Sequence, residues 1–490
     1  MIKDFLVNSF IIIGSLATYP FSAYTQTKSE EVKKPNIIFI MADDMGWTGL
    51  SGYGSNLHET PVIDQLSKEG MKFTNAYSAA AICTPTRASI LTGKCPARLN
   101  MTTWHENAGP PTPNTENKLL PPTTLPNLLL DEFTIAEMVK KAGYFTAHIG
   151  KWHLGDANHY PETQGFDINI GGTMWGMPQT YWYPFRGWRE SDQEIRYVPG
   201  LDNIDGNNAN AYLTDRLTDK AIEVIEAKKN DSFFLNLSYY NCHVPIEGKP
   251  ELVDYFEHKL TAGNKNTYHT NPGYAAMIAS LDKNIGRVFN AIKKAGIEEN
   301  TIIFFYSDNG GQVNARVNLK NNYPLRSGKG SLYEGGIRVP FIVKWPGITK
   351  PGDVCDYPVS SIDILPTIQE MTGLTDKENH LKKIDGVSIV PLLRDPSSTL
   401  ARETLYWHFP HYYPTTTPVS AIRKGKWKLL EFFEDNHLEL YNLKSDLGEN
   451  HNLAEKHPDI VADLYHNLKA WRKSIDAKYP STNPQYIPAP

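Results

Sequence analysis

Residues 36–44, Asn36-Ile37-Ile38-Phe39-Ile40-Met41-Ala42-Asp43-Asp44, form a continuous apolar run that ends in two carboxylates. A strand with one face in solvent alternates apolar and polar side chains, whereas a strand buried on both faces of a parallel sheet is apolar throughout. The run therefore predicts a central strand of a parallel α/β sheet, with Asp43 and Asp44 just beyond its carboxyl end.

Three later segments repeat this pattern of a buried strand followed by polar groups. The strand predicted at 144–149 leads to Gly150-Lys151-Trp152-His153, the strand at 233–239 leads to Asn241-Cys242-His243, and the strand at 301–306 leads to Ser307-Asp308-Asn309-Gly310. Open parallel sheets bind ligands outside the carboxyl ends of their strands. We therefore expect these groups to meet the Asp43-Asp44 pair in one site.

Helix signals separate the predicted strands. Thr60-Pro61 begins a helix that closes near Gly70, and Thr134-Ile135-Ala136-Glu137 is a capping box whose helix ends at Gly143. Buried strands that alternate with helices predict an α/β protein, with a large and mostly parallel sheet sandwiched between helices.

The pattern changes towards the carboxyl end. Short strands joined by turns are predicted within 403–409, 421–433 and 438–443, before a final helix at 458–474. Consecutive short strands followed by a helix indicate a smaller α+β unit. We therefore expect a catalytic domain over residues 34–390 and a C-terminal subdomain of antiparallel sheet plus helix over residues 391–490.

The first 23 residues predict a secretory signal peptide. Lys3 precedes an apolar run from Phe10 to Ala17 that is too short for a membrane span, and the best cleavage position follows Ala23. We therefore expect an exported protein, periplasmic or secreted. No later segment is long and apolar enough to span a bilayer, and the polar stretch from about Glu190 to Asn210 predicts a surface excursion.

Charge and cysteine content argue against two broad classes of protein. The 490 residues include 49 Lys+Arg and 54 Asp+Glu, and the resulting net charge of −5 does not suit a generic basic nucleic-acid binder. Four cysteines are too few for a disulfide framework in a chain of this length.

The segment Cys83-Thr84-Pro85-Thr86-Arg87 is predicted to begin a helix that Gly93 ends. A thiol at the positive end of a helix dipole, with Arg87 one turn later, is expected to have a lowered pKa and to favour anions nearby. The alternative interpretation is a capped core helix with Arg87 on the protein surface.

The longer segment Cys83-x-Pro85-x-Arg87-Ala88-Ser89-x-Leu91-Thr92-Gly93 resembles the motif of the type I sulfatases, in which the cysteine is oxidised to Cα-formylglycine. The resemblance covers residues 35–480, is greatest to bacterial polysaccharide sulfatases, and implies an alkaline phosphatase-like fold. Five further segments resemble family motifs in the family order: Asp43-Asp44, Gly150-Lys151-Trp152-His153, His243-x-Pro245, Ser307-Asp308-Asn309-Gly310 and Gly328-Lys329-Gly330-x-x-x-Glu334-Gly335-Gly336-x-Arg338-Val339-Pro340.

The resemblance implies one calcium ion and a set of catalytic residues. Carboxylate and amide oxygens suit such a hard cation, and three carboxylates around Ca²⁺ leave a formal negative charge that basic residues and a protonated His243 would offset. In family terms Lys151, His243 and Lys329 hold the sulfate, while Arg87 and His153 support the formylglycine. The implied ligands of the metal are Asp43, Asp44, Cys83 as formylglycine, Asp308 and Asn309.

The implied reaction is hydrolysis of a sulfate ester by a formylglycine hydrate. One hydroxyl attacks sulfur while the alcohol leaves, which gives a covalent sulfate hemiacetal, and the second hydroxyl then expels sulfate. By family analogy Asp308 deprotonates the attacking hydroxyl, His153 assists the elimination, and His243 or Lys329 protonates the leaving oxygen. The implied partners are a sulfated carbohydrate and a formylglycine-generating (sulfatase-maturating) enzyme.

Aromatic clusters with interspersed cations lie outside these motifs. Aromatic rings stack on sugar rings and cations bond hydroxyls or carboxylates, although aromatic residues are more often part of a core. Together with export, these clusters favour a sulfated polysaccharide or oligosaccharide over a small aryl ester. The candidates for substrate binding are Trp104, His105, Trp175, Arg186 and His408.

Three alternative functions stay open at this point. A phosphatase or phosphonate monoesterase of the same superfamily is one, but related phosphonate hydrolases carry Asp-His where this chain has Asp308-Asn309. A calcium-dependent glycan binder is the second, if Cys83 is never oxidised. A thiol-nucleophile hydrolase is the third, and it leaves the calcium ligands without a purpose.

Overall fold

The computed structural model describes residues 34–190, 193–201, 210–262, 268–314, 319–375, 381 and 383–488. The predicted signal peptide lies outside these ranges, as do residues 202–209 of the predicted surface excursion. Within the described ranges, no helix combines the length and the apolar character that crossing a membrane would require.

The two longest strands have seven residues each and are neighbours in the main sheet. In chain order they are β1 (Asn36–Ala42), β2 (Met71–Phe73), β3 (Ala76–Tyr77), β4 (Leu119–Leu120), β5 (Phe145–Gly150), β6 (Ile168–Ile170), β7 (Arg186–Arg189), β8 (Glu194–Tyr197), β9 (Phe233–Ser238), β10 (Thr301–Ser307), β11 (Val313–Asn314), β12 (Leu319–Lys320), β13 (Phe341–Lys344), β14 (Asp353–Cys355), β15 (Val359–Ser360), β16 (Thr404–Phe409), β17 (Val419–Lys424), β18 (Trp427–Phe432), β19 (Leu438–Asn442) and β20 (Ser481–Thr482).

The four helices predicted from sequence signals begin at the expected residues, Pro61, Cys83, Ile135 and Pro458. The Thr134 side chain and Glu137 form the expected capping box, and the last helix has the predicted bounds. In chain order the helices are α1 (Pro61–Glu69), α2 (Cys83–Thr92), α3 (Ile135–Lys141), α4 (Leu213–Lys228), α5 (Pro250–Thr261), α6 (Pro272–Lys294), α7 (Glu334–Ile337), α8 (Ile364–Met371), α9 (Val390–Arg394) and α10 (Pro458–Ser474).

The central sheet has eight strands in the order β14-β2-β13-β10-β1-β9-β5-β6. Strand β1 lies between β10 and β9 and is parallel to both, and β5 and β6 extend the parallel part beyond β9. Strand β13 alone runs antiparallel to its two neighbours, β10 and β2. The sheet is therefore mostly parallel, as predicted.

Burial of β1 on both faces explains its continuous apolar sequence. Ile38 and Ile40 pack in a core on one face with residues of α4 and α6, whereas Ile37 and Phe39 pack in a core on the other face with residues of α2, α3 and α8. Because side chains alternate along a strand, every apolar position of β1 meets one core or the other. The sheet is thus sandwiched between helices.

A second, antiparallel sheet has the order β16-β17-β18-β19. On one face, Leu464 and Leu468 of α10 pack against Ile422 and Leu429. The other face packs against the residues that precede α2 and α7. The predicted run of short strands and a final helix is confirmed, while the domain boundary near residue 390 stays a prediction, since this sheet begins at Thr404.

Candidate active site

The carboxyl ends of four neighbouring strands meet at one edge of the central sheet. Backbone hydrogen bonds join the segments that follow these strands. The Asp43 N–H donates to the Asn241 carbonyl at 2.7 Å, and the Asp308 N–H donates to the Ala42 carbonyl at 3.2 Å. The structure therefore brings the predicted groups together. In spatial order they are Asp308 after β10, Asp43 and Asp44 after β1, His243 after β9 and Lys151 after β5.

Cys83 is the first residue of α2, a helix whose ten residues are all buried. Gly93 ends the helix with a φ of 67°, a left-handed conformation that favours glycine. The Cys83 thiol donates to Asp43 Oδ1 at 3.6 Å and to Asp44 Oδ1 at 3.9 Å. The helix thus holds residue 83 against the acidic pair that follows β1.

Burial raises the pKa of the Cys83 thiol far above its ordinary value, and the Asp308 and Asp43 carboxylates add to this effect. Lys151 and Lys329 oppose the rise without reversing it. The expectation that the helix dipole lowers this pKa is therefore wrong, because the start of α2 is buried beside carboxylates. The same surroundings disfavour an unmodified Cys83 as a thiolate nucleophile.

The acidic residues around Cys83 fit a hard cation. One ligand atom from each of Asp43, Asp44, Cys83 and His243 lies within 4.8 Å of the others. The buried Asn309 Oδ1 has no hydrogen-bond partner in the part of the chain that the structure describes, although Asn309 Nδ2 donates to Asp44 Oδ1 at 2.7 Å. A buried amide oxygen without a hydrogen-bond partner, next to Asp308 in the sequence, adds a ligand of the type that Ca²⁺ prefers to these carboxylates.

The carboxylates also repel one another in the absence of a cation. Burial raises the pKa of Asp43 to about 8, and Asp308 and Asp44 add to the rise that Lys151 opposes. A divalent cation among these oxygens would relieve the repulsion and favour the ionised form of Asp43. The raised pKa of Asp43 and the unpartnered Asn309 Oδ1 therefore both favour a cation at this position.

Each of the three aspartates is paired with one basic residue. Arg87, predicted in one interpretation to lie on the surface, is only 2 % exposed. The charges balance, so a bound divalent cation would make the group positive and attract a sulfate ester. We call the six residues the catalytic cluster: Lys151 Nζ is 2.7 Å from Asp43 Oδ2, Lys329 Nζ is 2.8 Å from Asp44 Oδ2, and Arg87 Nη2 is 2.7 Å from Asp308 Oδ2.

His243 is neutral, in contrast to the expected imidazolium. Burial and the nearby Lys329 ammonium lower the pKa of His243 to about 3. Its Nδ1 lies 2.9 Å from the Val244 carbonyl, to which it donates, so Nε2 accepts from Lys329 Nζ at 3.0 Å. Lys329 is therefore the charged member of this pair.

His153 and Asp44 both have left-handed backbones, with φ of 61° and 57°. Such strain in residues other than glycine is characteristic of functional sites. Thr84 Oγ1 donates to the His153 carbonyl at 2.9 Å, which ties this segment to the start of α2. Burial lowers the pKa of His153 to about 4 although Glu106 opposes the change, so the ring is neutral at neutral pH.

A cleft of about 250 Å³ opens above Cys83. It joins predicted catalytic residues to side chains from three loops and from the β7–β8 hairpin. Trp104 forms part of its wall, edge-on to Tyr413 with ring centroids 5.6 Å apart. The described residues that line the cleft are Ile82, Cys83, Trp104, Glu106, His153, Gly176, Met177, Arg189, Arg196, His243, Lys329 and Tyr413.

Of the five candidates for substrate binding, only Trp104 lines this cleft. His105 is half-buried, and its Nδ1 lies 2.8 Å from the Pro126 carbonyl. Trp175 is buried beneath the Arg196 guanidinium, whose carbon is 4.4 Å from the ring centroid. His408 is a correction to the prediction: it is buried in the second sheet, with Nδ1 2.6 Å from Ser420 Oγ and Nε2 2.8 Å from the Lys478 carbonyl.

Arg186 is the second clear correction. In the β7–β8 hairpin Gly187 pairs with Arg196, so Arg189 and Arg196 share the face that lines the cleft. Side chains alternate along a strand, which places Arg186 on the opposite, exposed face beside Trp188. Arg186 therefore does not contact a substrate in this cleft.

Sequence reasoning missed Glu106, Arg189 and Arg196 as residues of the site, and it included Tyr413 only as part of the aromatic cluster at 408–413. Arg186 and Arg189 fall on opposite faces of any strand over 186–189. Predicting a β-hairpin here would therefore have separated Arg186 from Arg189, and its register would have placed Arg196 on the same face as Arg189. Glu106 lies in a one-turn 3₁₀ helix, His105–Asn107, and Tyr413 lies in a loop, so no periodic pattern indicates the direction of either side chain.

Comparisons with known proteins agree with this geometry. Residues 35–374 match the family model described as Sulfatase, and residues 328–474 match the model of the N-sulphoglucosamine sulphohydrolase C-terminal region. A sulfatase of Formosa agariphila is 34 % identical, over 94 % of this chain and 93 % of its own length. An N-acetylgalactosamine-6-O-sulfatase of Bacteroides thetaiotaomicron is 29 % identical, over 89 % of this chain and 93 % of its own.

A solved structure shares both the fold and part of the sequence. The crystal structure of Ps i-CgsB in complex with k-i-k-neocarrahexaose has a TM-score of 0.75 and 29 % identity, over 92 % of this chain and 95 % of that chain. The family model spans most of the described residues and includes every residue of the catalytic cluster. The chain belongs to the Sulfatase family of the alkaline phosphatase-like superfamily, and it is a hydrolase of sulfate esters.

Proposed function

We propose that this chain is an exported, calcium-dependent sulfatase that removes a sulfate ester from a carbohydrate with a formylglycine derived from Cys83. One observation carries the proposal: Cys83 begins a buried helix at the floor of the cleft, against Asp43 and Asp44, and shares that cleft with Lys329 and His243. A nucleophile at this position has a metal site on one side and positive charge for sulfate on the other.

The residues that would hold Ca²⁺ are Asp43, Asp44, Asp308 and Asn309, together with residue 83. The orphaned Asn309 Oδ1 and the mutual repulsion of the carboxylates support this assignment. When bound, the ion stabilises negative charge on a sulfate oxygen and on the nucleophile. With the ion in place, Asp43 and Asp44 would be shared between the ion and the two lysines, so the Lys151 and Lys329 ammonium groups could also donate to the substrate.

The formylglycine requires a sulfatase-maturating enzyme as a partner. Its hydrate supplies a hydroxyl nucleophile where the buried Cys83 thiol, with a raised pKa, supplies little thiolate. The resemblance of residues 83–93 to the family motif supports the modification, and the surrounding geometry explains why an unmodified thiol would be a poor catalyst at this position.

Side chains of the protein bind the sulfate, accept the proton of the attacking hydroxyl and protonate the leaving oxygen. Lys151 and Lys329 bind sulfate oxygens, and both stay protonated because their carboxylate neighbours raise the pKa against the effect of burial. Arg87 donates through Nε and Nη2 to Asp308 Oδ2, which keeps Asp308 ionised as the acceptor of the attacking hydroxyl's proton. His243 Nε2 is an acceptor, so we assign protonation of the leaving oxygen to Lys329.

A carbohydrate substrate is supported by the relatives and by the shape of the site. The Bacteroides relative is named for N-acetylgalactosamine 6-O-sulfate, and Ps i-CgsB is seen with a neocarrahexaose. Trp104 and Tyr413 provide aromatic surface for a sugar ring. A second, polar cavity of about 320 Å³ shares Trp104 and Glu106 with the cleft, which leaves space for a neighbouring sugar residue.

The proposal is tested by sulfate release from a panel of sulfated oligosaccharides and small aryl sulfates, with calcium present. The protein is co-expressed with a maturating enzyme and secreted from its native leader, residues 1–23, so that the same preparation tests export. We expect release from at least one sulfated sugar and none from the matching phosphate esters. Release of phosphate without sulfate would contradict the assignment.

A further inference from the structure

Three hydrogen bonds fix the Glu106 side chain, and its two carboxylate oxygens have different partners. Oε1 accepts from the Gly176 N–H at 3.2 Å and from Arg196 Nη1 at 3.2 Å. Oε2 lies 2.8 Å from His153 Nε2. One carboxylate oxygen therefore holds the side chain in place, and the other faces the imidazole in the cleft.

The state of Glu106 determines the tautomer of His153. Burial opposes ionisation of Glu106, but His153 and Arg196 hold the pKa of this carboxyl well below its usual range. An ionised carboxylate only accepts hydrogen bonds, so Nε2 of His153 must carry a proton. Because the ring is neutral, Nδ1 then has a lone pair, and Nδ1 is buried with no partner among the described residues.

The arrangement is supported from behind by the β7–β8 hairpin. The Arg196 side chain of β8 is 2 % exposed, and its guanidinium carbon lies 4.4 Å from the Trp175 ring centroid. A guanidinium that is stacked and buried loses little freedom when it donates to Glu106. The hairpin thus fixes Glu106 through a rigid cation rather than through a mobile surface side chain.

The imidazole itself has little room to turn. A Cβ at Gly176 would lie 2.3 Å from His153 Cε1, so only glycine lets the chain pass this close to the ring. The Gly176 N–H is also a donor to Glu106. The same backbone segment therefore packs against the imidazole and holds the carboxylate that bonds it.

We propose that Glu106 is a positioning residue for the reaction, which fixes His153 with Nε2 protonated and with the Nδ1 lone pair available to the group at residue 83. In the step it serves, the hydroxyl of residue 83 that does not carry the sulfate would lose its proton: its O–H bond breaks and an N–H bond forms at Nδ1, the freed electron pair makes the C=O bond, and the C–O bond to the leaving sulfate breaks, with no change in redox state. The inference rests on the proposed function, since an unmodified Cys83 has no hydroxyl.

The tautomer is measured directly by ¹⁵N NMR of protein labelled at histidine, with His153→Asn to assign the signals. In the wild type we expect a protonated Nε2 and an unprotonated Nδ1. In Glu106→Gln the amide can donate to Nε2, and in Glu106→Ala this nitrogen has no carboxylate partner, so both variants should shift His153 towards the Nδ1-protonated form. An unchanged His153 spectrum in both variants would overturn the proposal.

Kinetics give the second readout. Glu106→Gln should lower kcat by about 100-fold or more on aryl and carbohydrate sulfates alike, with KM within about threefold of wild type. Glu116→Gln, a control at an exposed glutamate of the same loop region, should leave both values unchanged. A kcat for Glu106→Gln within about threefold of wild type would also overturn it.

The two readouts separate this inference from the proposed function. The NMR experiment does not need turnover, so it tests the Glu106–His153 pair even in a protein that releases no sulfate. Absence of sulfate release in the wild type would count against the proposed function alone, whereas wild-type activity with an unaffected Glu106→Gln would count against the positioning role alone.

Discussion

Two buried groups of charged residues lie near each other in this protein and differ in purpose. The first is the catalytic cluster. The second, which we call the junction cluster, joins the second sheet to the segment that carries Lys329, and it consists of Tyr77, Glu334, Arg338, Arg423, Lys428 and Glu449. Lys428 Nζ lies 2.9 Å from both Glu334 Oε1 and Glu449 Oε1, and all three side chains are fully buried.

The two clusters differ in whether any of their residues lines the cleft. Glu334 bonds within the protein through both oxygens, to Lys428 and to Tyr77, and none of the junction cluster lines the cleft. The catalytic cluster borders the cleft through Lys329 and lies against the orphaned Asn309 oxygen. Burial of charge alone therefore does not identify an active site; contact with the cleft that holds Cys83 does.

Loss of the nucleophile should have the largest effect. Cys83→Ala is expected to lower kcat/KM by about 10⁴-fold or more, because no other group at the cleft floor can attack sulfur. The melting temperature should change little, since one sulfur atom is removed. Cys95→Ala, at a buried cysteine outside the cleft, is the control and should retain full activity. Unimpaired turnover by Cys83→Ala would refute the catalytic assignment.

The comparison of the two clusters predicts opposite results for two lysines. Lys428→Met leaves Glu334 and Glu449 buried without their common cation, so the free energy of unfolding should fall by about 3–5 kcal/mol. Lys329→Met, measured with calcium present, should lower kcat/KM by about 100- to 1,000-fold with much less change in stability. Denaturant unfolding and sulfate release measure the two quantities.

If Lys329→Met unfolds the protein as readily as Lys428→Met, the catalytic cluster is a structural salt-bridge group like its neighbour. If Lys428→Met keeps its stability and loses activity, the roles of the two clusters are reversed. Either result would break the comparison.

Calcium should act on the catalytic cluster alone. An ion that binds only the folded protein adds about 2.7 kcal/mol of stability at a concentration 100 times its Kd. Chelation should therefore lower both activity and melting temperature, and calcium should restore both. Asp43→Ala and Asp308→Ala should lose this response, whereas Asp385→Ala, at a carboxylate paired with Arg98 elsewhere, should keep it. Restoration by zinc and not by calcium would contradict the oxygen-donor assignment.

The smallest expected effect concerns sugar recognition by the hairpin. Arg189 lines the cleft. Arg189→Ala should lower kcat/KM on a sulfated carbohydrate by about 10- to 150-fold, because a hydrogen bond to a charged group contributes about 1.5–3 kcal/mol. A small aryl sulfate should be spared, because remote contacts position the reacting group. Arg186→Ala, on the opposite face of the same strand, is the matched control. Equal loss from Arg186→Ala would contradict the register argument.

Much of the fold follows from local pattern. The apolar run before Asp43-Asp44, the capping box at Thr134 and the glycine at position 93 each depend on residues close in sequence, so their structures could be predicted. The convergence of polar groups could be predicted as well, because the carboxyl ends of parallel strands meet at one edge of a sheet.

The errors all concern properties that depend on distant residues. The pKa of Cys83 is set by burial against strand ends far away in the sequence, which outweighs the local helix dipole. Arg189 lines the cleft instead of the predicted Arg186, because the register of the β7–β8 hairpin determines which face of β7 is turned towards the cleft. His408 is aromatic and polar, as sugar-binding residues are, but the second sheet and the Lys478 carbonyl enclose it.

The proposed function requires residue 83 to be a formylglycine when the protein is active. The direct measurement is the mass of the peptide that contains residue 83, taken from a preparation whose sulfate release has been recorded. We expect a peptide about 18 Da lighter than the cysteine form, in an amount proportional to the specific activity of the preparation. An unmodified thiol throughout a preparation that releases sulfate at full rate would contradict it.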